Sequence, residues 1–175
     1  MNTRILDPVA SLCRTPDSLD AIIRGRPDAW LDSRHAADTL SPREAIGHMV
    51  SGEKEDWIPR IERILEHGES VPFSPFDPYA SKDLAQETPV EEMLAEFRTL
   101  RFQNVERLTE LNITDEMLDK RGTHPVHGSV TMEQLICTWA AHDIYHLGQM
   151  HKDFAVNLVE RIGPWQAMLN LPHFN

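Results

Sequence analysis

Cysteine is nearly absent from this chain. Cys13 and Cys137 are too few for a disulfide framework, and both are expected as reduced, buried filler. No apolar run approaches the roughly 18 residues that a membrane span needs. The N-terminus is broken by Asp7 and Pro8 before an apolar stretch can form, so no signal peptide is expected and the cytoplasm is the expected compartment. Basic residues are outnumbered, 17 Lys and Arg against 28 Asp and Glu, for a formal charge of -11. An acidic surface repels phosphate backbones and anionic lipid, so neither nucleic acid nor membrane is an expected partner. Alternation of period two is also missing, which argues against strands. With 175 residues there is enough chain for one domain, spanning 1–175, with a sizeable core.

What the sequence does have is legible helix starts. "TPDS" at Thr15, "SPRE" at Ser41, "TPVE" at Thr88 and "TMEQ" at Thr131 each open an apolar repeat of helical period. The last three are capping boxes, and the first three place proline at the first helical position. Ile46, Val50, Trp57, Ile61 and Leu65 mark the second helix, which stops at Gly68, with Pro59 expected to bend it. Met93, Leu94, Phe97, Leu100, Val105 and Leu108 mark the third. Leu135, Trp139, His142, His146 and Met150 share one stripe on the fourth. A short turn is expected at "TDEML" and a short closing helix before Gly163.

The stretch from Gly68 to Glu87 is rich in proline and lacks helical period. Some twenty residues can span about 60 Å, more than a 25-residue helix of about 37 Å. The connection can therefore run the length of the molecule and leave helices two and three parallel. The expected fold is an all-α four-helix bundle with a long crossover between helices 2 and 3. The "PFSPFDPY" segment within that crossover is read as packing or a dimer contact.

His142 and His146, in "HDIYH", are four apart and hence about 40° around a helix and 6 Å along it, so both rings can reach one ion. A lone pair of this kind is weak, and the aspartate at 143 removes the glutamate of a metalloprotease motif. A third ligand must come from elsewhere. His48 lies within about two turns of the pair if helices two and four are antiparallel. "THPVH", with His124 and His127, is the strongest rival; His35 also lies in a connection, His67 is too far along its helix, His151 points away and His173 is in the tail. Trp57 and Trp139 are read as core.

The segments "SPREAIGHMVSGEKEDWIPRI" and "RGTHPVHGSVTMEQLICTWAAHDIYHLGQM", with the later "GPW", resemble the DinB-like (YfiT-like) superfamily of metal-binding four-helix bundles. The resemblance covers Thr15 to Trp165. It implies up-down-down-up topology and one divalent ion, nickel or zinc, held by His48, His142 and His146. It also implies a stress-induced, homodimeric protein, with relatives that include thiol-dependent S-transferases and a maleylpyruvate isomerase. "HPVHG" departs from the family's "HPxLG" and makes His127 a candidate extra ligand. Asp143 is read as a helix-bridging hydrogen bond and, alternatively, as support for a ligand. Glu53 and Gln149 are read as structural or solvated and, alternatively, as supporting a ligand or meeting substrate, and Glu53 is the carboxylate to test as a base. Three neutral ligands leave open positions and a full positive charge, which favours an incoming anion. The expected function is therefore a thiol-dependent S-transferase acting on a small molecule with a low-molecular-weight thiol. The alternatives are a metal-dependent hydrolase acting through activated water, and a non-catalytic stress-induced metal-binding dimer.

Overall fold

A computed structural model describes residues 1–77 and 81–169. Among these, helices α1 (Leu6–Ile23), α2 (Asp28–Leu31), α3 (Pro42–Glu55), α4 (Trp57–His67), α5 (Lys82–Glu87), α6 (Val90–Glu110) and α7 (Asp115–Leu118) lead to a hairpin. Its strands are β1 (Arg121–His124) and β2 (Gly128–Thr131), and α8 (Met132–Val156), α9 (Val159–Ile162) and α10 (Gln166–Leu169) follow. Side-chain pairs set the directions of the long helices. Arg4 meets Glu133 and Thr15 meets Asp143, so α1 and α8 run parallel. Glu53 meets Arg101 and Glu62 meets Arg107, so α3–α4 and α6 are parallel too. Asp17 meets Arg98 while Leu12 meets Arg101, which makes α1 and α6 antiparallel. The result is the up-down-down-up bundle. No helix among the described residues is long and apolar enough to cross a membrane.

Two helix starts fall where the sequence puts them. Ser41 and Thr131 each form a complete capping box, with Glu44 and Gln134 closing back on the cap. Thr15 does not start a helix; it lies mid-way along α1, whose interior contains Pro16. A proline there leaves the carbonyl four residues back without its helical donor. That carbonyl is Leu12 O, and the Arg101 guanidinium donates to it at 3.0 Å. The Thr15 hydroxyl donates to Asp143 at 2.6 Å instead of capping. Thr88 is likewise not an N-cap: its N–H closes α5 on Leu84 O, and α6 follows with Pro89 as cap.

Pro59 bends the second long helix by breaking it at Asp56. The ring clashes with the carbonyl four residues earlier, Glu55, so α3 ends there and Pro59 falls in the first turn of α4, where its missing N–H is harmless. Gly68, at φ 58°, ends α4. The hairpin is an addition to the expected all-helical fold. Its four-residue strands are too short to show alternation. Gly122 holds it close: a Cβ there would lie 2.7 Å from both Ile64 and Phe73. Phe73, from the crossover, is buried and its N–H bonds Thr123 O at 2.9 Å. Cys13 is half-buried and Cys137 exposed, correcting the reading of both as buried filler; Cys137 sits on the solvent side of α8.

The apolar core falls into two clusters. One gathers Leu12, Trp57, Ile61, Leu108 and Trp139; the other gathers Leu19, Met49, Met93, Phe97 and Met150. On every long helix a polar residue separates the two: Thr15 on α1, Glu53 on α3, Arg101 on α6 and Asp143 on α8.

Candidate metal centre

The two capping boxes fix where α3 and α8 begin, and antiparallel packing then brings their histidines to one level. His48 Nε2 lies 2.9 Å from His142 Nε2, which lies 3.1 Å from His146 Nε2. Ligand nitrogens about 2.0–2.1 Å from one ion stand roughly 3 Å apart, the spacing from His142 to each of the other two, and all three atoms lie within 4.8 Å of one another. Burial pushes the His142 imidazole down to about 2 and His146 down to about 4, helped in each case by neighbouring rings. Both are neutral at pH 7, with lone pairs to offer.

Proton counting tests the fit to a cation. His146 Nδ1 donates to Gln149 Oε1 at 3.0 Å, which leaves its Nε2 bare. Gln149 is oriented by its own amide, whose Nε2 donates to Leu40 O at 2.6 Å, at the threshold of α3. His142 Nδ1 is buried with no hydrogen-bond partner among the described residues. One proton on His142 Nε2 can serve only one of its two neighbours, so converging lone pairs remain. A divalent ion satisfies all three, and this donor set fits one. The three rings are the one group of at least three His, Cys, Asp or Glu side chains among the described residues placed to hold an ion.

Gln149 thus joins one prospective ligand to the start of the helix that carries another. Gln149→Ala is expected to weaken metal binding about 10–100-fold, as measured by chelator competition, with helicity retained. Unchanged affinity would show that His146 needs no such support.

Asp143 bridges helices, as read. It forms a two-point pair with Arg101, at 2.5 and 3.0 Å. Glu53 accepts from Arg101 at 2.8 Å, from Trp139 Nε1 at 2.8 Å and from Asn104 at 3.0 Å. Burial works against the charge of Arg101, but Asp143 and Glu53 more than offset it. Glu53 is therefore fully engaged in this network and does not line the cavity beside the histidines. Trp139 stacks on Trp57 at 5.8 Å, and Trp57 presents itself edge-on to His142 at 5.3 Å.

The three imidazoles open into a cavity of about 510 Å³, walled largely by Trp57, Phe73, Phe76, Val126, Leu135 and Tyr145. Phe76 meets His48 edge-on at 5.4 Å, so the crossover segment helps to line the site. Residues 78–80 of that segment, and His173, lie outside the described residues. His124 and His127 stack on each other at 4.6 Å at the hairpin tip. They line the cavity mouth and are not in the three-ring group. Asp56 and Arg60, which sequence reasoning passed over, also line it. Their signal was a charged pair on the apolar stripe of α4, with Trp57, Ile61 and Ile64 around it.

A four-helix bundle of this topology, with three imidazoles facing a cavity between its antiparallel α3 and α8, defines a class before it defines a relative. The chain belongs to the DinB superfamily, whose family model matches residues 11–150. It is similar to YfiT from Bacillus subtilis, described as a probable metal-dependent hydrolase with an unusual four-helix bundle topology. The TM-score is 0.74 at 19% identity, over 93% of this chain and 90% of that one. No curated protein matches.

Proposed function

We propose that His48, His142 and His146 hold one divalent ion, and that the protein is a metal-dependent enzyme transferring the sulfur of a small thiol to an electrophilic small molecule. The observation that carries this reading is the convergence of three Nε2 atoms on one end of a mostly apolar cavity, with no carboxylate in the group. When bound, the ion supplies Lewis acidity that favours the anionic form of an arriving thiol. The residues do the rest. Gln149 keeps the His146 lone pair turned inward, and Trp57, Phe76 and Tyr145 exclude water and hold the apolar part of the reactants. A thiol route suits a centre with no acidic side chain among its three rings, because an already ionised sulfur needs no base at the moment of attack. Nickel and zinc both suit imidazole donors.

Hydrolysis is the second reading, favoured by the description of YfiT and by Asp56 in the cavity wall. The test loads the protein with metal and supplies glutathione, bacillithiol, mycothiol or coenzyme A with chlorodinitrobenzene, beside generic ester and amide substrates. Conjugation forms a sulfur–carbon bond, releases chloride and passes the thiol proton to solvent. Metal-dependent conjugation supports the transferase. Hydrolysis without conjugation replaces it with the second reading, and firm metal binding with no turnover leaves a non-catalytic metal-binding protein.

A further inference from the structure

The cavity beside the three imidazoles is also lined by a charged pair, Asp56 and Arg60. Asp56 lies eight residues beyond His48, about 12 Å along the helix axis. Arg60 pairs with it at 2.5 Å across one turn, and both side chains are about nine-tenths buried. The guanidinium also lies over the Phe73 ring, 5.3 Å from its centroid. No other partner of Arg60 is present among the described residues, so most of its N–H donors have no protein acceptor. Unlike the other buried arginine, Arg101, it is not enclosed: it borders open volume.

We propose that Arg60 is the receptor for a carboxylate at the end of the substrate remote from the histidines. This rests on the metal-dependent reading for the near end and is independent of it for the far end. Three features argue for it. The guanidinium is pre-organised, pinned by Asp56 on one nitrogen and by an aromatic face, so little side-chain freedom is lost on binding. Its planar fork matches the two oxygens of a carboxylate. Both side chains of the pair are largely removed from solvent, which also pushes the Asp56 carboxyl up to about 6 against the pull of Arg60, and charge-assisted hydrogen bonds gain strength in such a place. Asp56 neutralises the arginine until a ligand arrives, and its own charge disfavours doubly charged groups such as phosphate. The rest of the lining is mostly aromatic and aliphatic, with His124, His127, Gln134 and Thr138 as its polar members. The substrate class is therefore a mostly apolar monocarboxylate that reaches from the histidines to the Asp56–Arg60 pair.

The probe is octanoate against octanol, titrated into the purified protein by calorimetry, with intrinsic tryptophan fluorescence as a second signal. The wild type is expected to prefer the acid at least tenfold. Arg60→Gln should abolish that preference, and Asp56→Asn, which frees the guanidinium, should increase it. Equal binding of acid and alcohol by the wild type overturns the proposal, as does a preference that survives Arg60→Gln. If that variant fails to fold, an unchanged or weaker preference in Asp56→Asn overturns it equally. A second arm adds 8-mercaptooctanoate to metal-loaded protein and expects tighter binding than octanoate. Failure of this arm alone removes the thiol–metal end and leaves the carboxylate receptor standing.

Discussion

His142→Ala is expected to lower divalent-metal affinity by more than about 100-fold, beyond the loss of a supporting hydrogen bond. Its Nε2 is the atom that stands about 3 Å from both other imidazoles, so its removal leaves two donors too few to hold an ion against buffer. Of the three rings it is the one only half-buried, and its Nδ1 has no hydrogen-bond partner among the described residues, so truncation takes a partner only from the His48 and His146 rings, which line the cavity. The bundle should therefore keep its helicity. Elemental analysis beside circular dichroism reads both quantities, and unchanged metal content in a folded variant would remove the site. His48→Ala and His146→Ala should lose metal too, though His146→Ala also strands Gln149 and should show a stability loss of its own.

Arg101→Met should be the most damaging change to the fold. Arg101 is wholly buried, with its charge shared between Asp143 and Glu53 and one N–H given to the Leu12 carbonyl. Methionine would leave two buried carboxylates facing each other and the carbonyl next to Pro16 without a donor. Removing one member of a buried charge group costs about 3–5 kcal/mol, a large share of a typical domain's 5–15 kcal/mol. Urea denaturation should show the midpoint collapse, or no folded baseline at all. Adding Asp143→Asn and Glu53→Gln to Arg101→Met removes the stranded charges and should recover part of the loss. If the triple variant is no better than the single, desolvated charge is not the cause.

The parts of the fold that could be read from the sequence are those governed by local rules. Ser41 and Thr131 have the hydroxyl and the partner three residues on, with no competing use for either, and both helices begin there. Thr15 carries the same kind of signal, but a residue more than a hundred positions away recruits its hydroxyl, and no local pattern reveals that. The histidine pair follows from helical spacing alone. His48 could be placed only within a couple of turns, because the offset between two antiparallel helices depends on packing throughout the core. Arg101 left a trace: it stands four residues after Phe97 and seven before Leu108, on an apolar stripe where a charge needs a partner. Asp56 and Arg60 left a similar one. The hairpin left none, since its position depends on a glycine letting β1 approach Ile64 and Phe73.

The polar level that divides the two halves of the core limits slippage of one helix past another. In a bundle filled only with aliphatic side chains, a shift of one turn, about 5.4 Å, exchanges one apolar neighbour for the next at small penalty. Here the same shift would pull Thr15, Glu53, Arg101 and Asp143 out of alignment together and separate His48 from the pair on α8. Correct threading of the chain and competence to capture an ion are therefore one condition. A molecule assembled one turn out of step would lack the three-ring group as well as stability.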